Sequence, residues 1–217
     1  MLDYFAVFAA SYLLGAVPFG FLIGKCFHKD IRKEGSGNIG ATNVTRVIGK
    51  GWGRLCFALD FLKGFLPVLT VKLLTGSTLY AAIAVFCTVI GHMLPVWLKF
   101  KGGKGVSTAA GGLLAFSPLA LISAAVVWVV LFFASRYVSL ASIFAAVSLP
   151  LFCLLYSVTG LYCALKMPSW DKLELGILAA LAVLTVLKHT SNIKRLCNGT
   201  ENRFERKKKE TEDRING

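Results

Sequence analysis

Two basic residues in this sequence stand where an oxyanion could be gripped. Lys104 lies between glycines in KFKGGKGVSTAAGG (residues 99–112), and Arg46 closes GSGNIGATNVTR (residues 35–46). A lysine supplies a compact charge, whereas an arginine supplies a planar fork that matches a carboxylate or phosphate. The Arg46 stretch adds the hydroxyl and amide groups of Ser36, Asn38, Thr42 and Asn43, with glycines that let backbone approach closely. Around Lys104, consecutive glycine amides form an anion-binding concavity, and a helix expected from about Val106 points its positive end at it. A third polar stretch, KHTSNIKRLCNGTEN (residues 188–202), sets His189 and Asn192 three residues apart, on one face of a helix. There an imidazole can donate or carry a proton. Taken singly, each stretch also reads as a polar connection, and Lys99 and Lys101 as charges that merely orient a membrane protein.

The Gly-Lys stretch is not a nucleotide loop. A G-x-x-x-x-G-K-[ST] pattern would need glycine at Leu98 and a hydroxyl at Gly105, and the preceding segment is apolar and helical rather than a strand. Upstream, GHMLPVWLKF contributes His92, read as a histidine that fixes the loop. Asp60 and Lys63 in LDFLKG sit inside an apolar run, where a carboxylate and an ammonium three residues apart are expected to pair.

The elements that must position these groups are membrane helices. Of 217 residues 56% are hydrophobic, mean hydropathy is +0.67, and the apolar residues gather in long runs, which indicates an all-α polytopic integral membrane protein. The runs cover residues 4–24, 55–75, 78–98, 106–134, 137–160 and 172–188. The fourth exceeds one crossing of roughly 20 residues, and Pro118 after Ser117 divides it into 106–116 and 118–134. About seven transmembrane helices follow, or six if the short piece does not cross. The first run has Asp3 and no basic residue before Lys25, so it is expected to persist as a membrane helix rather than act as a cleaved signal.

Net charge is +13. With the N-terminus outside and the C-terminus cytoplasmic, 20 of the 24 lysines and arginines fall on the inner side, as the positive-inside rule requires. A nucleic-acid partner is therefore not indicated. That orientation also brings the three polar stretches to the same membrane surface. The six cysteines lie in or beside apolar segments without paired spacing and read as small hydrophobes. A single transmembrane domain is expected over residues 1–200, with a charged cytoplasmic tail over 201–217.

Together the three stretches, in this order and spacing, resemble the signature motifs of the acyl-phosphate glycerol-3-phosphate acyltransferases, the PlsY family. SYLLGAVPFGFLIGK and LDFLKG are similar to family segments too, and the resemblance covers about residues 4–204. It implies a seven-helix bundle in the bacterial cytoplasmic (inner) membrane, with its active site facing the cytoplasm. The implied reaction, the first step of phospholipid synthesis, moves a fatty acyl group from acyl phosphate to the 1-hydroxyl of glycerol 3-phosphate. Lysophosphatidic acid and inorganic phosphate result. No H-x-x-x-x-D sequence, the signature of the other large class of such acyltransferases, follows His28, His92 or His189.

By this resemblance Ser36, Lys104 and His189 form the catalytic set. Lys104 offsets charge on the acyl phosphate and the developing oxyanion, and Ser36 orients a reactant. Either His189 or a substrate phosphate takes the hydroxyl proton. A covalent acyl-Ser36 stays open, although no triad is visible to activate it. Arg46 and Asn192 hold glycerol 3-phosphate, and Gly102, Gly103 and Gly105 supply room and amides. Asn38 and Asn43 complete the substrate-binding set and brace the loops, while His92, Glu201, Asp60 and Lys63 give structural support. No metal or organic cofactor is called for. The expected partners are glycerol 3-phosphate, long-chain acyl phosphate, membrane lipids and the enzyme that supplies acyl phosphate. An anion transporter is the main rival, but such proteins place the site near mid-membrane and often carry internal repeats.

Overall fold

The structure, a computed structural model, describes residues 4–165 and 172–204. The first apolar run forms α1 (Tyr4–Gly15) and α2 (Phe19–Cys26) rather than one helix, because Pro18 brings no N–H to the ladder. The Val17 carbonyl freed by this break accepts a hydrogen bond from Lys63 Nζ at 2.7 Å. A short α3 (Ala41–Val47) occupies the second half of the Arg46 stretch and leads into α4 (Lys50–Thr75). Next come α5 (Thr78–Met93), a 3-10 turn at Val96–Leu98, and α6 (Val106–Phe116). The chain breaks at Ser117, as expected, and Pro118 opens α7 (Pro118–Ser135) at a position where its missing N–H costs nothing. Then follow α8 (Val138–Val158), α9 (Leu161–Ala164), α10 (Lys172–Lys188) and α11 (Thr190–Cys197).

Among the described residues four stretches are long and apolar enough to cross a bilayer: Tyr4–Cys26, Thr78–Leu98, Pro118–Ser135 and Val138–Val158. Lys172–Lys188 and Thr190–Cys197, bent by 57°, make a fifth if taken as one span. Helix α4 has 26 residues but carries Arg54, Asp60, Lys63 and Lys72. Helix α6, with 11 residues, rises only about 16 Å.

Two glycine seams allow the backbones to approach closely. A Cβ on Gly15 would lie 2.2 Å from the Thr88 carbonyl oxygen, and one on Gly91 2.3 Å from that of Tyr12, locking α1 to α5. Gly64 and Gly111 do the same between α4 and α6, as small residues do between membrane helices. Val68, Val85, Val89, Leu113, Leu149, Leu178 and Leu181 fill the space between α4, α5, α6, α8 and α10. Phe5, Leu73, Val130, Phe133 and Val158 face outward, as a hydrocarbon environment permits. A smaller apolar cluster of Ile23, Ile31, Ile39, Val44, Cys56 and Leu98 underlies the polar stretches at one end of the bundle.

Asp60 and Lys63 pair at 2.7 Å within α4, and His92 Nδ1 approaches the same carboxylate oxygen at 3.6 Å. Residues after 200 also touch the bundle. Phe204 N–H donates to the Arg136 carbonyl at 3.1 Å, and its ring meets Phe132 edge-on at 5.9 Å. The rest of the expected charged tail, residues 205–217, lies outside the described residues.

Candidate active site

The first polar stretch is held by one buried amide. Asn43 is 1% exposed; its Nδ2 donates to the carbonyls of Ile31 at 2.8 Å and Glu34 at 3.1 Å, and its Oδ1 accepts the Ser36 N–H at 2.8 Å. That arrangement ties the turn containing Ser36 to α3. Asn38 Oδ1 accepts from the Gly40 N–H at 3.3 Å, shaping the entry to the same helix. At its far end, Arg46 lays its guanidinium over the Phe204 ring, 5.1 Å from the centroid, and Nη2 donates to the Asn202 carbonyl at 3.4 Å.

The Gly-Lys stretch is packed on the end of α5. The Gly103 N–H donates to the His92 carbonyl at 3.1 Å. A Cβ on Gly103 would lie 2.1 Å from His92 Nε2, and one on Gly102 would lie 2.2 Å from the His92 carbonyl oxygen and 2.3 Å from Pro95 Cδ. Only glycine lets the loop lie this close to the histidine. Gly105, with φ +78°, turns the chain into the first residue of α6.

In the third stretch the chain bends between α10 and α11, with His189 at the junction. His189 is 2% exposed, and Nδ1 lies 2.8 Å from the Thr185 carbonyl. Because a carbonyl only accepts, Nδ1 carries the proton, and Nε2 in the neutral ring is an acceptor. Glu201 accepts hydrogen bonds from Asn192 Nδ2 at 2.7 Å, Ser139 Oγ at 2.8 Å and Arg195 Nε at 2.7 Å. It joins α8, α11 and the segment after α11.

These stretches meet at a cleft of about 200 Å³. Ser36, Gly37 and Asn38 come from the first stretch, Gly102, Gly103 and Lys104 from the second, and Lys188, Ser191, Asn192 and Arg195 from the third. Arg46, Asn43, Gly105 and His189 lie outside its wall. Asn43 faces the loop backbone, and Arg46 faces residues 202–204.

Burial weakens the hold of Lys104 on its proton and brings its pKa down to about 8, against the upward pull of the Glu201 carboxylate; the charges of Arg195 and Arg46 lower it further. Burial alone would raise Glu201, but the bonds from Asn192, Ser139 and Arg195 hold its carboxyl below the usual range. Among the groups on the cleft wall, the amides, the hydroxyls and the two lysines suit an oxyanion.

Gly37, Lys188, Ser191 and Arg195 were not among the expected site residues. The last three share a signal with Asn192, since positions 188, 191, 192 and 195 follow helical spacing. The sequence alone presents the two basic residues as charges of the inner surface.

A sequence model described as Glycerol-3-phosphate acyltransferase matches residues 5–199. The chain is 42% identical over 203 residues to a glycerol-3-phosphate acyltransferase of Desulforamulus reducens, covering 93% of this chain and 96% of the relative. It is 43% identical over 197 residues to one of Aquifex aeolicus, covering 89% and 95%. Among solved structures it resembles PlsY (YgiH), an integral membrane glycerol 3-phosphate acyltransferase, in its glycerol 3-phosphate form. The TM-score is 0.84 at 40% identity, with 93% of this chain and 96% of that chain covered. For the lysophosphatidic acid form the TM-score is 0.81.

Proposed function

The chain belongs to the glycerol-3-phosphate acyltransferase family, and on that premise we propose that its acyl donor is acyl phosphate and its product lysophosphatidic acid. The observation that carries this reading is the convergence of three stretches, more than 150 residues apart from Ser36 to Asn192, on one cleft rich in cations and amides. Acyl phosphate is already activated, because phosphate is a good leaving group. The protein must chiefly hold two phosphorylated reactants with hydroxyl and carbonyl about 3 to 3.5 Å apart. The two crystal forms of the PlsY relative, one with glycerol 3-phosphate and one with lysophosphatidic acid, support the same pairing of substrate and product.

In this mechanism the 1-hydroxyl oxygen of glycerol 3-phosphate attacks the acyl carbonyl carbon. The ester C–O bond forms, the carbonyl-to-phosphate C–O bond breaks, and the electron pair leaves with inorganic phosphate. Lys104 stabilises charge on the acyl phosphate and the oxyanion. Ser36 orients a reactant by hydrogen bonding, and Asn192, its amide fixed by Glu201, holds glycerol 3-phosphate. Gly102 and Gly103 let the Lys104 loop lie against the end of α5, and the Gly103 amide is spent on the His92 carbonyl. Asn43 acts as the brace that orients Ser36, and Arg46 acts at the edge of the site. Either His189 Nε2, from behind the cleft wall, or a substrate phosphate oxygen takes the hydroxyl proton. His92, Asp60 and Lys63 support the loop from inside the bundle.

The same reading places seven helices across the bacterial inner membrane, with the N-terminus outside and the cleft open to the cytoplasm. One domain extends from the first helix to Phe204 at least. Purified protein given palmitoyl phosphate and labelled glycerol 3-phosphate should yield labelled lysophosphatidic acid with equimolar phosphate. Absence of that product, with acyl transfer from acyl-CoA or acyl-carrier protein instead, would refute the donor assignment. Uptake into vesicles without acylation would refute the enzyme.

A further inference from the structure

We propose that Lys188 is a second phosphate-binding cation of the cleft, acting beside Lys104 on a phosphate monoester dianion. The inference rests on the acyltransferase reading above. Both reactants in that reaction carry a phosphate, each bearing close to two negative charges above a second pKa of about 6, and the donor's phosphate is the one released. One lysine is a sparse complement for such a charge.

Among the described residues three cations line the cleft: Lys104, Lys188 and Arg195. Arg195 is paired with the Glu201 carboxylate at 2.7 Å, so its charge is largely cancelled within the protein. Lys188 meets a neutral partner instead, as its Nζ donates to the Met93 carbonyl at 2.8 Å. Met93 is the last residue of α5, and the final carbonyls of a helix have no partner within it. They also form the negative end of the helix dipole, which attracts a cation without neutralising it. The bond uses one of the three ammonium donors and leaves two for phosphate oxygens.

A lysine that only orients the membrane protein has no reason to be half-buried on a cleft wall and anchored to a helix end. Met93 is also where the Gly-Lys loop is held, since a Cβ on Gly105 would lie 2.9 Å from Met93 Cε. The contact that fixes Lys188 is therefore to the residue that walls the Lys104 loop. The Lys188 ammonium and the loop that carries Lys104 are both held by one end of α5.

Three variants of the full chain separate a charge from a strut. Lys188→Gln keeps a donor for Met93 without the charge, Lys188→Arg keeps the charge, and Lys188→Met keeps only the stem. Inorganic phosphate is titrated calorimetrically without turnover. The expected result is phosphate binding weakened by about tenfold to a hundredfold in the Gln and Met variants, the loss typical of a charge-assisted bond, and largely restored in Arg. Unliganded Gln and Arg variants should melt as the native chain does. A raised KM for glycerol 3-phosphate assigns Lys188 to the acceptor's phosphate, and a raised KM for palmitoyl phosphate assigns it to the donor's. Native-like phosphate affinity in Lys188→Gln would overturn the proposal and leave Lys188 as a strut. If phosphate binding depends on Lys188 but no lysophosphatidic acid is made by the native chain, the site stands and the acyltransferase reading falls.

Discussion

Raising the pH should switch off the cleft through Lys104. Burial disfavours the charged ammonium and brings its pKa down to about 8, so the group is charged below that value and loses its charge above it. At pH 7 about nine-tenths of the molecules carry the charge and at pH 9 about one-tenth. If the charge is needed at the reacting phosphate, kcat/KM should fall about tenfold between those values, with a slope of one proton. The substrates cannot produce this limb, because phosphate monoesters complete their second ionisation near pH 6. A bound dianion favours the ammonium, so the limb in kcat should lie at higher pH than the limb in kcat/KM. Initial rates with palmitoyl phosphate, corrected for enzyme-free hydrolysis at each pH, give both profiles. Lys104→Arg should lose the limb, since a guanidinium stays charged beyond pH 12 or so. A kcat/KM profile flat to about pH 9.5, or an unchanged limb in Lys104→Arg, refutes the reasoning.

Gly103→Ala places a Cβ 2.1 Å from His92 Nε2, so the loop must lift or the ring must turn. A strain of about 1–3 kcal/mol should appear mainly as a raised KM for glycerol 3-phosphate, and a native KM would show that the loop gives way freely. Asp60→Asn leaves the Lys63 ammonium, 2.7 Å away, buried without a carboxylate. It should cost about 3–5 kcal/mol, seen as a lower melting temperature in detergent and recovered in the double variant with Lys63→Met; an unchanged melting curve would show that the Val17 carbonyl alone satisfies Lys63. His189→Gln should lower kcat by about a hundredfold or more with KM little changed. A residual rate within about tenfold of native would move the proton to a substrate phosphate instead.

Much of the bundle is legible because hydrocarbon imposes long apolar runs, and Pro118 announces its break through a helix start at Ser117. Pro18 gives the same signal inside the first run, yet hydropathy continues across it. What makes the break tolerable, Lys63 satisfying the Val17 carbonyl, comes from a residue 46 positions away. The meeting of the three polar stretches is legible through charge, since the positive-inside rule assigns all three to one membrane surface. The same rule hides Lys188, because a topogenic charge and a ligand-binding charge have one spelling. Composition alone reads Glu201 as the first residue of a tail, and only the family resemblance singles it out as a support; its carboxylate organises Asn192, Ser139 and Arg195.

The glycines of the Gly-Lys stretch carry the sharpest lesson. Sequence explains them by an anion that needs bare backbone. In the structure, Gly102 and Gly103 are required by His92 and Pro95, and the Gly103 amide is already committed to the His92 carbonyl. Glycine richness therefore argues for close packing at least as strongly as for a ligand. The proposed anion site rests on other observations: the Lys104 charge, the positive end of α6 beside it, and the arrival of Ser36 and Asn192 at the same wall. Which neighbour forbids a Cβ is tertiary information, and no pattern of glycine and lysine along one chain contains it.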